Sequence, residues 1–106
     1  MKKSEIFAEV LQMVSDETEV EIDDILSDSR TTDVMDAKAL LCYTLKISAG
    51  LSAANIISSF GGVYKKDFVY YHVRGFEDRC KQNKLLKVSY NKIVAKLKQN
   101  GRDTVA

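Results

Sequence analysis

Residues 53–82 read AANIISSFGGVYKKDFVYYHVRGFEDRCKQ, and this stretch decides the fold. Ser52 caps a helix of two turns, Ala53 to Ser59, which carries Ile56 and Ile57 and leads into Phe60. Gly61-Gly62 ends that helix. From Lys65 to Gln82 the residues Val69, His72, Val73, Phe76 and Cys80 recur at i, i+3, i+4, i+7 and i+11, one apolar stripe along a helix. Lys66, Tyr70, Arg74 and Lys81 fall off the stripe. A short helix, a glycine turn and a longer basic-aromatic helix form the pattern of a helix-turn-helix, whose second helix enters the major groove of DNA.

The flanking sequence is helical in the same way. Ser4 to Val14 has Ile6, Val10, Leu11, Met13 and Val14 at helical spacing, and Ser4 caps its start. Asp16 to Glu19 is a polar break, and Ile22, Ile25 and Leu26 predict a short helix after it. Ser27 to Thr31 reads as a loop. Thr32 caps a longer helix with an apolar face of Met35, Ala39, Leu41, Cys42 and Leu45, ending near Ala49 before Gly50. A last helix, Leu85 to Gln99, turns Leu86, Tyr90, Ile93, Val94 and Leu97 inward and four lysines outward. The tail from Asn100 to Ala106 is expected to fray. The expected fold is therefore all-α: a bundle of five or six helices in a single domain. It divides into an N-terminal helix with an acidic linker (1–19), a helix-turn-helix unit (20–82) and a basic helix with its tail (83–106).

Composition narrows the function classes. The chain has 106 residues, 45% hydrophobic and 29% charged, which suits one globular core and argues against disorder. It has no proline and five glycines, too few turn residues for an all-β sandwich. No uncharged run is apolar enough to span a membrane, and the N-terminus lacks the apolar core of a signal peptide, so a cytoplasmic location is expected. Cys42 and Cys80 belong to no metal-ligand spacing and read as free, packed thiols. No nucleophile is paired with a base, and no cofactor motif occurs. The expectation is a non-enzymatic protein without a metal, a cofactor or an evident small-molecule substrate. His72, on the apolar stripe, reads as a core histidine.

Net charge is +1, but it is divided unevenly. Residues 1–36 hold three basic and eleven acidic residues, and residues 37–106 hold thirteen basic and four acidic. This asymmetry points to a polyanion partner for the basic part. The alternative is that the halves neutralise one another in the fold.

Between Val20 and Lys81 the sequence resembles the C-terminal DNA-binding domain of the bacterial replication initiator DnaA, which shares its helix-turn-helix with the Trp repressor. Three stretches carry the likeness. They are Ile25-Leu26-Ser27-Asp28-Ser29-Arg30; Ala37 to Leu45 with Leu51-Ser52 and Ile56; and Phe60-Gly61-Gly62 with Val69-Tyr70-Tyr71-His72-Val73-Arg74. The resemblance implies a Trp-repressor-like fold that binds double-stranded DNA, with replication or transcription control as the implied process. Arg30 resembles the family's loop arginine, and Lys38 stands on the helix facing that loop. The family reads bases with an Asp-His-(Thr/Ser)-Thr run after the glycine turn. Here Val63 to Phe68 stands in that place, with Lys66 at the histidine position, Asp67 and Phe68 at the hydroxyl positions and Tyr71 at a later histidine position. Recognition of the initiator's own DNA box does not carry over. No GxxxxGK[ST] loop occurs.

The residues expected to touch DNA are Arg30, Lys38, Lys65, Lys66, Tyr70, Tyr71 and Arg74. A second reading has the fold repurposed as a protein-interaction module, docking a partner through the acidic N-terminal third or through an exposed patch at Tyr64 and Phe68.

Overall fold

Thr32–Tyr43 forms a helix that is buried on every side. Val34 and all residues from Asp36 to Cys42 are shielded from solvent. A helix shielded around its whole circumference lies at the centre of a fold rather than on its surface, and the two charged side chains buried here, Asp36 and Lys38, are hydrogen-bonded. In a computed structural model, which describes residues 3–100, this element is α3 of six helices. Around it lie α1 (Lys3–Thr18), α2 (Ile22–Ile25), α4 (Ala53–Ser59), α5 (Lys66–Gln82) and α6 (Lys84–Gln99). There is no strand among the described residues. Helix α3 packs most extensively on α5, and also on α1, α2 and α6. Leu40 and Leu41 meet Val10 and Val14 of α1, Val69 and Phe76 of α5, and Ile93 of α6 in one continuous core. Each such side chain, fully buried, stabilises the fold by roughly 1.5–3 kcal/mol. Among the described residues no helix is long and apolar enough to cross a membrane.

Local chemistry accounts for most boundaries. The Ser52 hydroxyl accepts from the Asn55 amide at 3.2 Å and starts α4 at Ala53. After α4, Gly61 and Gly62 adopt φ of 92° and 76°, a left-handed region in which a side chain is strained. Central helix α3 is capped by Thr31, one residue earlier than expected, whose hydroxyl accepts from the Val34 amide at 3.4 Å. It continues into a π-turn, Thr44–Ser48, where Ser48 hydrogen-bonds the Tyr90 hydroxyl at 2.7 Å and so ties α3 to α6.

The first helix differs from expectation. It runs through the predicted polar break to Thr18, and Glu19 then turns the chain at φ 59°. Glu17 of this extra turn lies 3.9 Å from Lys92 and 3.6 Å from Lys96 on α6, a tertiary pairing that local polarity does not reveal. The predicted tail beyond Asn100 lies outside the described residues.

Candidate nucleic-acid interface

Helix α5 is half sunk in the core. Val69, His72 and Phe76 are buried, whereas Lys66, Tyr70, Tyr71 and Arg74 are exposed on the opposite side. Tyr71 is 57% exposed and Tyr70 39%, and the Lys46 ammonium lies over the Tyr70 ring at 5.7 Å. No side chain caps the start of α5. Its first amides therefore lack a capping partner, beside the exposed Lys65 and Lys66. Farther along the same side, Glu77 and Asp78 are exposed too, and Asp78 pairs with Lys81 at 3.7 Å. The cationic part of α5 is thus its N-terminal half, Lys66 to Arg74.

The loop before α3 is fastened to this end of α5. The Tyr64 hydroxyl donates to Asp28 at 3.3 Å. Lys38, reaching up from α3, donates its ammonium to the Ser27 carbonyl and, at 3.5 Å, to that of Ser29. Arg30 is left exposed on this braced loop. Among the described residues, Arg30, Lys65, Lys66 and Arg74 make no ion pair.

The expected contact set therefore divides. Arg30, Lys65, Lys66, Tyr70, Tyr71 and Arg74 are on the surface, but Lys38 is only 4% exposed. Burial lowers the Lys38 pKa, Asp28 raises it and Arg30 lowers it again. Lys38 holds the loop and does not reach outward. Phe68 also lies inward: its ring stacks on Tyr64 at 4.1 Å and meets Phe60 edge-on at 5.3 Å. The exposed patch at Tyr64 and Phe68 that the protein-interaction reading calls for is not present, because both rings are half-buried in this cluster. Lys46 was missed by sequence reasoning; the π-turn sets its register, and nothing local marks it.

The two charged halves partly neutralise each other. Asp36 pairs with Arg79 at 3.1 Å, and Glu17 pairs with two lysines of α6. Arg79 is consequently no part of a solvated basic face. Both cysteines are free, and burial pushes the Cys42 thiol up to about 12.

His72 is 2% exposed, and its Nδ1 has no hydrogen-bond partner among the described residues. Burial, followed by the charges of Arg79 and Lys38, lowers its pKa from 6.5 to about 4. The unfolded chain protonates this ring near its ordinary value while the folded chain keeps it neutral. Between those two values the unfolded state binds more protons, so stability falls as the pH falls. Urea titrations should show a loss of about 2 kcal/mol between about pH 7 and pH 5, absent in His72→Leu. A flat wild-type profile over that window would contradict this assignment.

Beside His72 lies a cavity of about 370 Å³, lined also by Asp28, Arg30, Lys38, Tyr64, Phe68 and Tyr71. No family model, no curated protein and no solved structure matches the chain.

Proposed function

We propose that this chain is a double-stranded DNA-binding domain of helix-turn-helix type, arranged like the C-terminal domain of DnaA and acting in replication or transcription control. Helix α4, the Gly61-Gly62 turn and α5 form the motif. The N-terminal half of α5, Lys66 to Arg74, enters the major groove. One observation carries the reading: exposed cations without ion pairs, distant in sequence, flank a helix whose opposite side is anchored in the core. Lys65 and Lys66 contact phosphate at the uncapped start of α5, where the backbone amides also favour an anion. Arg30 reaches the backbone from the braced loop. Arg74 contacts phosphate farther along α5, and Tyr70, exposed between Lys66 and Arg74, faces the base edges. Since Phe68 is packed and Asp67 is acidic, the sequence read differs from the initiator's box.

The test is titration of a labelled mixed-sequence duplex, followed by fluorescence anisotropy. Binding is expected at about 50 mM salt. The double variant Lys65→Ala, Lys66→Ala should bind about 100-fold more weakly, because each lost phosphate contact costs roughly tenfold at that salt. Absence of duplex binding at low salt would overturn the reading.

A further inference from the structure

The cavity beside α5 has features that a groove-binding helix does not require. Its lining holds two cations, one carboxylate (Asp28), three aromatic rings and a buried imidazole whose Nδ1 has no hydrogen-bond partner among the described residues. We propose that it binds a nucleotide unit, with a planar base against Tyr64, Phe68 and Tyr71, a phosphate at Arg30 and Lys38, and His72 on the base edge. This site adjoins the duplex-contacting face, sharing Arg30 with it, and goes beyond that function.

Each part of the ligand answers one part of the lining. Tyr64 and Phe68 stack on each other with their planes 12° apart, and Tyr71 meets His72 edge-on at 5.1 Å. Such walls suit a flat ring, because base-on-aromatic stacking tolerates any base. An apolar ring alone would leave the cations desolvated beside it. Lys38 has three donors and gives two of them to the Ser27 and Ser29 carbonyls, so one remains. Arg30 makes no ion pair among the described residues. Asp28 lines the cavity too, its carboxylate accepting from the Tyr64 hydroxyl, so two cations against one carboxylate leave one positive charge in excess to hold an anion.

The third part is the imidazole. His72 lines the cavity, and its buried Nδ1 is one of two buried side-chain polar atoms without a partner among the described residues. Unpaired buried polar groups are costly and call for an explanation. Nδ1 itself is shut off from solvent, so the part of the ring that lines the cavity is what meets a heterocycle edge. At about 370 Å³ the cavity is near the lower end of ligand pockets, with room for one nucleotide. The nucleotide can be free, or it can be an unpaired residue of a strand held on the adjoining face.

The chain has a single histidine, so its imidazole ¹⁵N resonances report on this cavity alone. The full chain would be titrated in turn with AMP, GMP, CMP and TMP, with single-stranded DNA and with a fully paired duplex. A saturable His72 shift with a mononucleotide supports the free-ligand source. A shift with the single strand only supports the strand-borne source. In either case Tyr71→Ala should weaken the response about tenfold or more, since stacking on an aromatic ring is lost. Met35→Phe, which fills the space from the α3 side, should abolish it. No shift with any nucleotide at millimolar concentration would overturn the proposal. So would an equal shift from inorganic phosphate or from indole-3-acetate, which would show that an anion or any aromatic acid suffices. The two readings fail separately: a mononucleotide response without duplex binding removes only the duplex function, and the reverse removes only the cavity.

Discussion

Phe76→Ala should destabilise the fold by about 3–5 kcal/mol, the largest single-residue effect expected in this protein. Phe76 is fully buried on α5. Its ring stacks on Tyr43 of α3 at 4.3 Å and 19°, and lies 5.7 Å from Tyr90 of α6. Tyr43 and Tyr90 also touch, edge to face, at 5.2 Å. Three helices thus meet in one aromatic cluster, and truncation at its centre leaves a cavity whose other rings are held by separate helices. Domains of this size are stable by about 5–15 kcal/mol in total, so much of the margin would go. The melting temperature should fall by about 12 °C or more. A loss below about 1 kcal/mol would mean that α5 is not anchored as described. Phe76 fixes which side of α5 faces outward, so under the proposed function the variant should also bind duplex more weakly than the native chain at temperatures near its lowered melting point.

Asp36→Ala should cost about 3 kcal/mol. The Asp36 side chain is 9% exposed and accepts from Arg79 at 3.1 Å and, through its second oxygen, from Asn83 at 3.3 Å. Asn83 caps α6, its side-chain oxygen accepting from the Leu85 amide at 3.2 Å. One carboxylate on α3 therefore fixes both the last turn of α5 and the first of α6. Its removal strands a guanidinium that is only 24% exposed, and partial access to water places the penalty at the lower end of the range for buried pairs. The double variant Asp36→Leu, Arg79→Met should recover most of the loss, because no unpaired charge remains. Urea midpoints at unchanged m-value provide the measurement. If the double variant were as unstable as Asp36→Ala, the charge pairing would not be the source of the effect.

The parts of this fold legible in sequence are those set by near neighbours. Ser52 capping, the Ala53–Ser59 helix and the glycine turn all depend on contacts within a few residues, and each is present in the structure. The stripe on α5 also separates core from surface, with Val69, His72 and Phe76 inward. What sequence did not disclose depends on partners far along the chain. Asp36 meets Arg79, 43 positions away, and Glu17 meets lysines at 92 and 96. Lys38 looked like an outward cation because lysine usually is one. It lies on a helix that other elements enclose on every side, so its ammonium has carbonyls of the loop as neighbours instead of solvent. Phe68, on α5, is half-buried for a different reason: the rings of Tyr64 and Phe60 pack against it. Six of the seven residues expected to touch DNA are exposed, but that Lys38 braces the loop from inside required the fold.

The most direct test is the salt dependence of duplex affinity between about 50 and 200 mM. With Arg30, Lys65, Lys66 and Arg74 each neutralising one phosphate, log K against log salt should have a slope of about −3 to −4. Alanine at any one of the four should make that slope less negative by about 0.9. Alanine at Lys84 or Lys98 on α6, away from this face, should leave it unchanged. A wild-type slope near zero, or an equal response to the α6 substitutions, would contradict the assignment of these four cations to a DNA-contacting face.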